Sequence, residues 1–196
     1  MHEYSIDTKR EVIVFVLASL SIALSTLLNK LVTAENLEFL SKFSITGFAI
    51  FGLLYIFFNN FIWKWSFLYK IGLIKTPNLN GIWIGSFQSS YHKWEKDFPA
   101  KIEIKQTWTH ICIKGTFNDS TSESNTASLK VNNGGIKLFY SYYNDTNPES
   151  SDSSFTNHRG YASFEFILDE KRVQGRYFND PSNNKNHGKI KLNQSV

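Results

Sequence analysis

The chain has 196 residues, 42% of them hydrophobic and only 19% charged, with a formal net charge of +4. That length suits one ordinary domain, or a smaller one with a membrane anchor, and a single cysteine excludes a disulfide scaffold and any cysteine-built zinc site. Residues 1–77 hold 7 basic and 5 acidic side chains and the remainder 14 and 12, so neither part has the dense cationic footprint of a duplex DNA or RNA binder.

Val12 to Leu28 carries no charge across seventeen positions, and extension to Val32 adds only Lys30, whose stem can snorkel to an interface. A second uncharged stretch, Phe43 to Trp63, ends in Trp63, Trp65 and Tyr69 interleaved with Lys64 and Lys70, the aromatic and cationic composition of headgroup depth. Each stretch is long enough to cross or nearly cross a hydrocarbon layer of roughly 30 Å. Glu3, Asp7 and Glu11 dilute the basic region that a cleaved signal peptide requires, and a second span follows at once. Lys9, Arg10, Lys64, Lys70 and Lys75 flank the pair, against Lys30 and Lys42 between them, which places both ends in the cytoplasm. Small residues (Ala18, Ser19, Ser21, Ala23, Ser25, Gly47, Ala49, Gly52) permit close helix approach, either within one hairpin or between copies.

Beyond Thr76-Pro77 the apolar period changes to two, as in Lys101-Ile102-Glu103-Ile104-Lys105 and Lys189-Ile190-Lys191-Leu192. Eight strands are expected, at about 81–91, 100–107, 109–117, 126–132, 135–143, 158–168, 172–179 and 187–193. Asn132-Asn133-Gly134-Gly135 reads as a hairpin turn. Eight short antiparallel strands favour an up-and-down β-barrel, which leaves no open edge, over a two-sheet sandwich. The chain then divides into a two-helix transmembrane region, 1–77, and a cytosolic barrel, 78–196. Alternation turns Trp83, Phe87, Ile102, Ile104, Ile111, Ile113, Leu138, Tyr140, Phe164, Phe166, Val173, Ile190 and Leu192 inward and the neighbouring lysines outward.

The first strand starts at the membrane. The short connections near 107–109, 132–135 and 169–171 are therefore proximal, and the long ones near 92–99, 118–125, 144–157 and 180–186 are distal. An eight-stranded barrel can hold one small ligand at its mouth. The distal inward or rim set is Tyr91, Tyr142, His158, Arg159, Tyr177, Asn179 and Asp180. Aromatic faces stack bases, Arg and protonated His neutralise phosphates, and Asn and Asp read polar edges, a combination suited to a small anionic, base-containing ligand. The same residue types also serve as barrel core, and Asn179-Asp180-Pro181 as a turn.

No GxGxxG, P-loop or G-x-S-x-G is present, and His2, His92, His110, His158 and His187 show no metal-ligand spacing. The acid–base candidates are His158, Asp180 and His187, and Cys112 lies mid-strand, where a buried inert thiol is the default. No catalytic residue, metal or cofactor is expected.

Two spans, then Leu79-Asn80-Gly81-Ile82-Trp83-Ile84-Gly85, then an all-β region ending Val173-Gln174-Gly175-Arg176-Tyr177-Phe178-Asn179, resemble the transmembrane β-barrel effectors associated with CD-NTases in bacterial cyclic-oligonucleotide anti-phage signalling, CBASS. Gly81-Ile82-Trp83 is also similar to the lipocalin G-x-W, whose Trp closes the barrel base. The resemblance implies a receptor-effector of the bacterial inner membrane. A cyclic dinucleotide made by a CD-NTase would bind the barrel as activating ligand, the protein would form homo-oligomers, and the helices would disrupt membrane lipid, leading to cell death or growth arrest. A membrane-tethered, lipocalin-like carrier of a small apolar ligand is the alternative, and outward Phe139 and Tyr143 leave a protein-interaction module open.

Overall fold

The computed structural model describes residues 1–34, 46–118, 120–132, 134–146, 157–180 and 185–195. Lys42, Asn133 and much of the two long connections expected at 144–157 and 180–186 lie outside them. The chain divides into two compact units, Thr8–Thr76 and a second made of Met1–Asp7 together with Pro77–Val196.

In the first unit the uncharged stretches form α1 (Glu11–Ala34) and α2 (Gly47–Asn60). Thr46 caps α2, its hydroxyl accepting from the Ala49 N–H at 3.2 Å, which satisfies one of the donors a helix start leaves open. The helices present Phe15, Ile22, Phe48 and Leu53 outward without protein cover, and segments Glu11–Thr33 and Gly47–Lys64 have the length and apolarity to cross a bilayer. Two of the small residues serve contact within this pair: Ser21 is buried, and Gly47 stands over the Ile22 backbone.

Among the described residues the second unit is a closed barrel of nine strands where eight were expected. They are β1 (His2–Ile6), β2 (Gly81–Ser89), β3 (Phe98–Gln106), β4 (His110–Phe117), β5 (Ser120–Asn132), β6 (Gly135–Thr146), β7 (His158–Ile167), β8 (Arg172–Asn179) and β9 (His187–Gln194), in spatial order β1-β4-β3-β2-β9-β8-β7-β6-β5. The last eight form the expected up-and-down meander. The ninth comes from the extreme N-terminus, so residues 1–7 join the barrel rather than the membrane region. β4 and β5 pair only over Lys114↔Glu123, Gly115↔Ser122 and Thr116↔Thr121. Beyond that they separate, and β1 fills the gap, antiparallel to β4 through His2↔Ile111 and parallel to β5 through Tyr4↔Ala127, Ser5↔Ser128 and Ile6↔Leu129. Five residues with one fully buried side chain, Tyr4, give too short an alternation to announce a strand.

β5 also begins earlier than expected. Most of the segment 118–125, read as a long distal loop, is strand, which starts at Ser120. Its inward residues are Ser122 and Ser124, not hydrocarbons, so it carries no apolar alternation.

The core runs along the barrel axis through the inward set expected from alternation. Trp83, 1% exposed, closes the base: its indole N–H donates to Leu79 O at 3.2 Å and its ring meets Phe166 edge-on at 5.2 Å. Beside it Gln106, 2% exposed, ties the chain's departure and return together. Its Nε2 donates to the Tyr4 hydroxyl (3.0 Å) and to Pro77 O (3.2 Å), while its Oε1 accepts from the Leu79 N–H (2.9 Å). Tyr4 in turn donates to Trp108 O at 3.0 Å. Exposed ion pairs such as Lys105–Glu103 and Arg172–Glu170 decorate the outer face and stabilise little.

Gln106→Ala strands the Leu79 N–H and the Pro77 carbonyl in a dry base. It is expected to lower stability by about 2–4 kcal/mol in denaturant unfolding, with β1 amides losing hydrogen-exchange protection first. Trp83→Ala is expected to cost about 3–5 kcal/mol as a core deletion.

Candidate functional site

At the end of the barrel opposite Trp83 the side chains do not fill the interior. A cavity of about 110 Å³ remains, open to solvent at the mouth. Its floor is apolar: Phe87, Phe117, Ala162, Phe164 and Ile190. Phe87 packs edge-on against Phe117 at 5.3 Å and Tyr140 against Phe164 at 5.3 Å, so the deep wall is a rigid aromatic set. Nearer the mouth the lining turns polar, with Ser89, His92, Asn118, Ser120, Ser122, Asn144, His158, Asn179 and Asn186. An engineered apolar cavity of about 150 Å³ admits benzene; this one is smaller and opens at the mouth rather than being sealed.

Strand geometry explains each position. Inward residues recur every second place on β6 (Tyr140, Tyr142, Asn144) and β7 (His158, Gly160, Ala162, Phe164). The pairings Ser122↔Asn144 and Asn144↔His158 set three polar side chains in one row across three strands. Gly160 has no side chain because the Tyr142 ring lies directly over it, and Gly188 underlies the Tyr177 ring in the same way. The Tyr142 hydroxyl donates to Asn179 Oδ1 at 3.0 Å.

Five of the seven residues singled out from the sequence line this cavity: Tyr91, Tyr142, His158, Tyr177 and Asn179. Arg159 and Asp180 are not among its lining residues. The expectation that His158 and Arg159 form a common rim pair meets the strand's alternation. His158 turns inward, while Arg159 lies on the outer face in a shallow groove with Glu123, Tyr143 and Asp145. Asp180 follows the end of β8, where its backbone N–H donates to Arg159 O at 2.8 Å. His187 also lies off the cavity, its ring 5.4 Å from Trp94, which is itself 5.5 Å from Lys189 Nζ. Among the described residues no Lys, Arg, Asp or Glu lines the cavity, and no group of His, Cys, Asp and Glu is arranged to hold a metal.

The lining that the sequence did not disclose comes from loops and polar strand ends. His92 sits in the turn Ser90–His92, its ring 4.2 Å from Phe98. Ser120, Ser122 and Asn144 lie on strand extensions that read as loop. For Asn144 a signal existed, because it continues the inward parity of Tyr140 and Tyr142. Cys112 is buried away from the cavity and burial pushes its thiol pKa up, which disfavours thiolate chemistry.

Burial raises the pKa of Tyr140, Tyr142 and Tyr177, so their phenols stay protonated and neutral. The arrangement can therefore take a flat aromatic group against rings and satisfy polar edges through neutral amides and hydroxyls.

Comparison with known proteins agrees with this architecture. Residues 74–194 match the family model described as the Cap15 cyclic dinucleotide receptor domain, and residues 11–64 match the model of the Cap15 transmembrane helices. The chain is 34% identical over 139 residues to CD-NTase-associated protein 15 of Yersinia aleksiciae, covering 69% of this chain and 63% of that protein. It is 29% identical over 143 residues to CD-NTase-associated protein 15 of Escherichia albertii, covering 67% of this chain and 71% of that one. The match thus spans less than two thirds of the Yersinia relative.

The raised phenol pKa values have a stability consequence. Above about pH 10 the unfolded chain releases tyrosine protons that the native barrel retains. Stability is therefore full below that pH and falls as pH rises beyond it. In an alkaline titration followed by tyrosinate absorbance, Tyr140, Tyr142 and Tyr177, of the nine tyrosines in the chain, are expected to ionise only as the barrel unfolds.

Proposed function

The chain belongs to the Cap15 family, the transmembrane effectors of CBASS, and on that premise we propose that its barrel mouth binds a cyclic dinucleotide and that binding drives self-association and disruption of the bacterial inner membrane. The observation that carries this reading is the cavity itself, open at the mouth and lined by aromatic rings and neutral polar side chains. A base stacked there gains about 1–3 kcal/mol. The enclosed volume is short of the roughly 300–1,000 Å³ of pockets that swallow a drug-sized ligand. One base enters and the phosphodiester ring stays at the mouth, near His92 and His158, where water still reaches it. A neutral lining suits this division, since charge left in water carries no desolvation cost.

Two features support the membrane half. Both helices expose apolar side chains along their length. β1 precedes them in the chain and lies in the same barrel wall as the strands that follow them. A chain that leaves one barrel and returns to it crosses the bilayer an even number of times, so both ends lie on one side, which the lysine distribution assigns to the cytoplasm. A single two-helix hairpin has too few helices to enclose a pore, so permeabilisation requires several copies. The ligand promotes assembly by binding the assembled form more tightly than the free one.

Full-length protein in dye-loaded liposomes is the test. Cyclic di-AMP, cyclic di-GMP or cyclic GMP-AMP is expected to release dye and yield cross-linked oligomers, with fatty acids inactive. His158→Ala and Tyr142→Ala are expected to raise the half-maximal ligand concentration about tenfold or more. Binding of fatty acid with no response to any cyclic dinucleotide would establish the apolar carrier instead.

A further inference from the structure

Among the described residues, four buried side-chain polar atoms have no hydrogen-bond partner, and one of them belongs to a residue that lines the cavity. Asn144, on β6 between Ser122 and His158, is 5% exposed. Its Nδ2 donates to Ser120 Oγ at 3.2 Å, which turns Oδ1 the other way. That oxygen is buried and accepts no hydrogen bond. Buried side-chain acceptors in native proteins are nearly always paired, and an orphan is kept at a cost of stability. Asn144 lines the cavity, so a donor on a bound ligand can supply the partner this acceptor lacks.

We propose that Asn144 selects the base that enters the barrel, its Oδ1 accepting a hydrogen bond from an amino or ring N–H group on the edge of that base. This rests on the cyclic dinucleotide reading of the cavity. The chemistry narrows the partner. Phosphodiester oxygens are acceptors only and cannot pair with Oδ1. Ribose hydroxyls can donate, but they are joined to the phosphates, which the uncharged lining and small enclosed volume leave at the mouth. The base alone is flat and neutral, and its donor edge supplies the missing proton. Sites built to pair a buried polar group discriminate strongly against ligands that leave it unpaired. Asn144 would thus determine specificity, while the aromatic walls accept any base.

The test uses full-length protein in detergent and the tightest binder among cyclic di-AMP, cyclic di-GMP and cyclic di-UMP. It is compared with an analogue whose base donor is removed or methylated, and with a 2′-deoxy analogue. Asn144→Leu is expected to weaken the parent ligand by about 10- to 100-fold while leaving the ligand-free melting temperature unchanged or higher, because an unpaired buried oxygen is replaced by methyl groups. A purely structural asparagine would lower it. The donor-blocked analogue should bind wild type as weakly as the parent binds Asn144→Leu, with no further loss when the two changes are combined. Unchanged binding of the donor-blocked analogue to wild type would overturn the assignment, as an amide turned to present Nδ2 predicts. A loss confined to the 2′-deoxy analogue would overturn it in favour of the sugar. Wild type binding a cyclic dinucleotide as tightly as Asn144→Leu also overturns it and leaves the proposed function standing. Wild type binding none of the three overturns the function itself.

Discussion

The barrel wall is complete only when the first residues of the chain return to it. β4 and β5 part company past Lys114 and Glu123, and β1 closes the opening. Gln106 makes that closure a single polar node, holding Tyr4 on the departing strand and Pro77 and Leu79 on the returning one. The membrane segment is therefore an insertion in a barrel rather than a leader in front of one. Its two covalent junctions lie beside strands tied to the same Gln106 at the barrel base. The cost of leaving those groups unpaired in a dry base makes the arrangement stiff.

A closed base frees the other end for binding. Trp83, Phe166 and Val173 fill the interior up to about mid-height, and the side chains above them stop short. Because strand residues alternate, every cavity-facing position on a wall has an outward neighbour that can carry charge without entering the site. Lys189, Lys191 and Arg159 do this. The barrel thus carries charge of both signs on its exterior, while among the described residues no Lys, Arg, Asp or Glu lines the cavity. Contact through rings and amides depends less on ionic strength than contact through Lys and Arg.

Most of the architecture was legible in the sequence. Period-two alternation across residues 81–194 located all eight later strands, and their inward residues are those of the core. The two spans were legible for a different reason, since hydrocarbon thickness imposes a minimum apolar length that composition alone satisfies. The failures share one cause: a strand is announced by apolar alternation, and three pieces of this barrel lack it. β1 is five residues long with one buried ring. The start of β5 points serines inward, and the end of β6 points Asn144 toward a polar mouth. Binding surfaces are where a barrel departs from the hydrophobic pattern, so pattern-reading stops where function starts.

Taken alone, the sequence determined the division into apolar helices and alternating strands, the number of spans, and which aromatic side chains turn inward. Those follow from local periodicity and segment length. Tertiary structure decided that residues 2–6 belong to the barrel, that His158 and Arg159 face opposite ways, and that Asn144, with a buried oxygen lacking a partner, lines the cavity. These depend on which strands lie side by side and in what register, and register is set by pairing between segments as far as 124 residues apart, such as Asp7 with Val131.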